Sequence, residues 1–69
     1  MKLDDIKVGG LVIVMAIGYG TENGRRSGIV TRVMSNIKYD IAGIDYVDSN
    51  GNMWWGYLDE VVSYTKVER

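Results

Sequence analysis

The chain contains no cysteine, histidine, proline or phenylalanine. Without cysteine there is neither a disulfide nor a thiol nucleophile, and without cysteine and histidine the usual zinc sites are excluded. Ser27, Ser35, Ser49 and Ser63 have no imidazole to activate them. The commonest nucleophilic arrangement is therefore missing, so neither an enzyme nor a bound cofactor is expected. Basic excess is missing too: 8 Lys and Arg against 9 Asp and Glu leave a net charge of −1. Tight, sequence-independent nucleic-acid binding leans on clustered Lys and Arg, so this balance disfavours it. The longest apolar run, Leu11 to Ile17, has seven residues, whereas a membrane-spanning helix needs about 20. It follows Asp4, Asp5 and a glycine pair, unlike a signal peptide. A soluble, cytoplasmic protein is expected, and the lack of cysteine fits a reducing compartment.

What is present points to strands. Nine glycines and four methionines accompany many Val, Ile and Tyr, with three leucines and two alanines. β-branched and aromatic residues broken by Gly favour short strands, and no window sustains a helical period. At 69 residues the chain reads as one domain, with a core over about 6–64 and a frayed tail at 65–69. A chain of this size buries only about 60% of the surface its unfolded form exposes. With disulfides and zinc unavailable, a well-packed barrel or self-association has to supply stability.

Five strands are expected. Val8-Gly9-Gly10 turns into the first, about Leu11–Ala16. Residues 17–27 read as a long, Gly-rich polar loop, of a length that is commonly functional. The second strand is set at Gly28–Met34 and Ser35-Asn36 as a tight turn. The third runs over about Ile37–Val47 with a bulge at Ala42-Gly43, and Tyr39 is expected to pack inward beside Ile37 and Ile41. Asp48–Asn52 forms the next turn, where Asn50-Gly51 supplies positive φ. Met53–Tyr57 is the fourth strand, Leu58-Asp59-Glu60 a single helical turn, and Val61–Tyr64 the closing strand.

The order of these pieces carries a resemblance. A Lys7-Val8-Gly9-Gly10-x-Val12-x-Val14 opening precedes the long loop, Gly28-Ile29-Val30-x-x-Val33, and the Tyr39-Asp40-Ile41 segment. Trp54-Trp55-Gly56-Tyr57 then runs into Leu58-Asp59-Glu60-Val61. The layout resembles the SH3-like small barrels, the group that holds SH3, Tudor and KOW domains, over about residues 6–64. The resemblance implies an all-β, five-stranded open barrel with one helical turn before the last strand. The Trp-Trp pair and Gly-Tyr are similar to SH3 motifs, but here they adjoin, and no proline precedes the closing strand, so a proline-rich ligand is not carried over. Met53-Trp54-Trp55-Gly56 also departs from the Val-Gln-Ile-Tyr strand of the barrel-type dihydrofolate reductase, and that activity is not carried over either.

The candidate site is aromatic. Alternation sets Met53, Trp55 and Tyr57 on one face of the fourth strand and Trp54 and Gly56 on the other. Met53 and Trp55 are assigned inward, which leaves Trp54 outward, either tucked under a loop or anchoring a partner. Tyr46, whose face depends on the bulge, would extend an aromatic patch beside Trp54 if exposed. Tyr19, Arg25 and Arg26 lie in the long loop and suit a phosphate or an acidic peptide, or are merely solvated. Gly18-x-Gly20-x-x-x-Gly24 is no phosphate loop, since no Lys-Ser/Thr or helix follows. Asp45, Asp48, Asp59 and Glu60 read as structural or solvating, Asp48 in its turn and Asp59-Glu60 on the helical turn.

Two function classes follow. The first is a non-enzymatic protein-interaction module using Trp54, Tyr46, Tyr19, Arg25 and Arg26, with self-association as one form. By analogy with other isolated small barrels, the near-neutral charge and lack of catalytic groups suggest a prophage or mobile-element accessory protein that docks on a host protein of unspecified identity. The alternative is nucleic-acid binding in the KOW or Tudor manner, with Arg25, Arg26, Arg32 and Lys38 on phosphates and Trp54 or Tyr46 on a base. A reductase-like enzyme assembled across subunits is a third arrangement.

Overall fold

The computed structural model describes residues 2–15 and 24–67. Five strands form one antiparallel sheet: β1 (Leu11–Met15), β2 (Arg25–Lys38), β3 (Ile41–Val47), β4 (Met53–Tyr57) and β5 (Val61–Thr65). The order across the sheet is β4-β3-β2-β1-β5, so β4 and β5 are its two edges and the sheet is not closed. The only helical elements among the described residues are 3₁₀ turns at Leu3–Asp5 and Leu58–Glu60, and no helix is long and apolar enough to cross a membrane.

Among the described residues no second sheet or long helix covers this sheet, and its apolar residues gather on its inner face. Val12 and Val14 of β1, Val30 of β2, Ile44 and Tyr46 of β3 and Val61 of β5 converge there, joined by Ile6 from the N-terminal segment. Val33, Trp54, Leu58 and Tyr64 pack around them. Tyr64 also holds the N-terminal segment to β5, its hydroxyl accepting from the Lys7 N–H at 3.2 Å and donating to the Lys7 carbonyl at 3.4 Å.

Two expected boundaries move. β2 extends from Arg25 to Lys38, so Arg25 and Arg26 belong to a strand, paired with Met15 and Val14, rather than to a loop. The chain does not turn at Ser35-Asn36. It turns at Tyr39-Asp40, both with positive φ (55° and 59°), closing the pair Lys38↔Ile41. Two consecutive positive φ values mark the tight hairpin turn whose twist matches its strands, ordinarily a place for Gly or Asn. Here Asn36 supports it from the strand: its Oδ1 accepts from the Asp40 N–H at 3.1 Å and its Nδ2 donates to the Asp40 carboxylate at 2.9 Å. Tyr39 is consequently 76% exposed instead of packed inward.

The irregularities of the β2–β3 pair lie at Val30/Arg32 and Met34/Lys38, so the expected bulge falls on β2 rather than within β3. An extra residue in one strand resets the side-chain alternation. That is why Val30 and Val33, an odd number of residues apart, both reach the core. The Leu58–Glu60 turn forms where expected, with Glu60 Oε1 accepting from the Tyr57 N–H at 2.9 Å.

Candidate functional site

The parity of β4 decides what this molecule shows to solvent, and it is the reverse of the expected one. Trp54 and Gly56 face the core, while Met53 and Trp55 are 61% and 45% exposed. The cause lies in the preceding turn. One Asp48 oxygen, Oδ1, accepts from the N–H groups of Asn50 and Asn52, each at 2.9 Å, and Gly51 takes φ 82°. The other, Oδ2, accepts from the Trp54 indole Nε1 at 2.8 Å. A half-buried indole needs a partner for its N–H, and the turn carboxylate provides one only if Trp54 points inward. Gly56 suits this choice: a Cβ there would stand 3.1 Å from Val14 and 4.0 Å from the Tyr46 ring, so a larger inward residue would require Val14 to give way.

The residues nominated from the sequence divide accordingly. Tyr46 is 1% exposed and sits in the core, so it contributes to no surface patch. Burial pushes its hydroxyl pKa up, with the Arg26 charge nearby pulling against that shift. The Arg26 guanidinium lies 3.9 Å from the centre of the Trp54 ring, stacked on it as a cation on a π face. Arg26, Trp54, Tyr46 and Asp48 thus come together, but they face one another across the inner end of the sheet. The Trp54 hydrogen bond, first among several, holds the Asp48 carboxyl below the usual carboxylate range. Arg25, Arg32 and Lys38 are exposed. Tyr19 lies outside the described residues.

The outer face carries an apolar surface that includes Met53 and Trp55, the two side chains expected inward. Directly paired residues share a face of a sheet, so the register lines up Leu11, Ile29, Val47 and Met53 as one row across β1, β2, β3 and β4. A shallow depression of about 260 Å³ lies along it between Leu11, Ile29, Val47 and Ser49. The next row holds Arg32, Asp45 and Trp55. Trp55 meets Tyr57 edge to face with ring centres 5.3 Å apart. Lys38 Nζ stands 5.7 Å from the Trp55 ring and 5.4 Å from the Tyr39 ring. The signal available in the sequence was the Met53-x-Trp55-x-Tyr57 alternation itself; only its side was misassigned.

No group of three or more Asp and Glu among the described residues is placed to hold a metal. No buried side-chain nitrogen or oxygen among them lacks a hydrogen-bond partner. Comparison with models of protein families, with curated proteins and with solved structures gave no match.

Proposed function

We propose that the chain is an SH3-like barrel acting as a non-enzymatic interaction module, which docks a partner protein on the outer face of β2, β3 and β4. The strand order β4-β3-β2-β1-β5, with a 3₁₀ turn between β4 and β5, supports the SH3-like part of this reading.

The observation that carries the docking site is the exposed Trp55, set edge to face against Tyr57 and flanked by Met53 and Lys38. Trp, Tyr, Met and Arg are the side chains enriched at protein interfaces, and a few such anchors supply most of the binding energy. Arg32 and Lys38 lie close in sequence or register to Asp45 and Asp40, so the rim is mixed in charge, as suits a protein surface.

A photo-crosslinking side chain at position 55, compared with one at Val62 on the opposite edge, tests the site in host lysate. A discrete adduct from position 55 and none from position 62 is expected. Equal adducts at both, or none at 55, would overturn it.

One observation favours a second reading. Lys38 beside the exposed rings of Tyr39 and Trp55 also suits a single nucleic-acid strand, with phosphates on Lys38 and Arg32 and a base on Trp55. Tryptophan quenching by single-stranded oligonucleotides at low salt would support it, and unchanged emission would remove it.

A further inference from the structure

The edge of β4 offers main-chain hydrogen bonds. The Asp48 N–H donates to the Asn52 carbonyl at 3.0 Å, which makes 48/52 a hydrogen-bonded pair of the β3–β4 hairpin. Such pairs alternate along an antiparallel ladder. In the unbroken register Tyr46↔Trp54 and Ile44↔Gly56 are therefore bonded pairs, and Val47↔Met53, Asp45↔Trp55 and Gly43↔Tyr57 are not. The N–H and C=O groups of Met53, Trp55 and Tyr57 consequently point away from β3. The Tyr57 N–H confirms this direction, since it is taken by Glu60 instead of by β3. β4 is an edge strand, and among the described residues nothing pairs with Met53 or Trp55 from that side.

We propose that this edge binds the same edge of a second copy, the two β4 strands pairing antiparallel about Trp55 into one ten-stranded sheet. A two-fold contact demands self-complementarity, and β4 has it in this register. Trp55 meets Trp55 of the second copy, and Met53 meets Tyr57. On the inner face Trp54 lies opposite Gly56, the bulkiest side chain against none. Shifting the two-fold axis to Trp54 sets two indoles against each other, and shifting it to Gly56 carries Met53 past the strand to Asp59 of the 3₁₀ turn.

In the Trp55 register the outer row of Leu11, Ile29, Val47 and Met53 runs on into Tyr57 of the second copy, extending a continuous apolar surface. Four hydrogen bonds form: two between the Trp55 residues and two from Met53 N–H to the Tyr57 carbonyl. Uncovered strand edges are ready templates for such pairing. The interface of two five-residue strands is at the small end of the range, so a dissociation constant on the order of 10–100 μM is expected.

The absence of native cysteine makes the test clean. Sedimentation of the full chain from about 10 μM to about 1 mM reads the mass. Met53→Cys and Tyr57→Cys proteins, each checked for fold by circular dichroism, are oxidised separately and mixed. Bonded antiparallel partners lie about 5.5 Å apart at Cα, within disulfide reach. Each cysteine and its own symmetry mate are about 13 Å apart, beyond reach.

A concentration-dependent dimer, with crosslinking in the mixture well above either variant alone, is expected. A monomer throughout would overturn the proposal, as would a dimer whose mixture crosslinks no better than the separate proteins. The outer-face docking reading is independent: a monomeric chain would leave it standing, and a dimer would add nothing to it.

Discussion

The indole of Trp54 and the carboxylate of Asp48 are joined by a 2.8 Å hydrogen bond that ties the start of β4 to the turn preceding it. The same carboxylate holds two main-chain N–H groups of the turn. One residue therefore closes the hairpin, and its bond to the indole fixes which face of the next strand looks inward. Trp54→Phe keeps most of the ring but loses this bond, and a destabilisation of about 1 kcal/mol is expected by urea unfolding. Trp54→Ala also removes packing from the core and the surface on which Arg26 stacks; about 3 kcal/mol is expected. In so small a domain that loss unfolds a large fraction of the molecules.

Trp55→Ala behaves oppositely. The side chain is exposed and its contacts are the Tyr57 edge and Lys38, so the change in stability is expected to stay below about 1 kcal/mol. Partner capture, by contrast, should fall about tenfold or more, as for loss of an aromatic anchor. Thermal unfolding and a binding titration of the same protein separate the two effects.

Acid weakens the fold through Asp48. Its carboxyl is held below the usual range in the folded chain, so the folded state binds a proton less readily than the unfolded one. Its stabilising contribution is complete above the ordinary carboxyl range and is lost as pH falls below about 4 through the depressed value. The urea midpoint measured across that range should drop for the native chain, and Asp48→Asn should reduce the drop while lowering stability at neutral pH.

Alkali acts on Tyr46 with the opposite sign. Burial raises its hydroxyl pKa, so the neutral form is favoured in the folded chain. Its contribution is present below about pH 10 and is lost as pH rises through the raised value. Tyr46→Phe should flatten the stability loss above pH 10, followed by tyrosinate absorbance and circular dichroism together.

Gly56→Val tests the inner face of β4. An added Cβ would crowd Val14 at 3.1 Å, and the branches beyond it would press on Tyr46 and Glu60. A loss of about 1–3 kcal/mol is expected from thermal unfolding. A neutral result would mean that β4 does not face the core through Gly56.

The all-β class, the five strands, the Gly51 turn and the 3₁₀ turn before β5 were legible from residue type alone, because Gly, Asn and β-branched residues state local preferences. The β2–β3 turn was not. Its positive φ values fall on Tyr39 and Asp40, and the Asn36 side chain that supports them looked like a turn residue itself. The site was half legible. Alternation divided β4 into its two sets, but which set is buried depends on a hydrogen bond to Asp48 and on the space left by Tyr46, both tertiary facts. Arg26 was recognised as a cation able to grip a ligand; what it grips is Trp54.

The outward placement of Trp55 underlies the proposed docking face, and the chain's two tryptophans can be read one at a time. The decisive measurement is fluorescence of Trp54→Phe, which reports Trp55, and of Trp55→Phe, which reports Trp54, with iodide as quencher in dilute solution. Red-shifted, strongly quenched emission from Trp55 and blue-shifted, protected emission from Trp54 is the expected result. The reverse assignment would contradict the orientation of β4 and remove the proposed docking face.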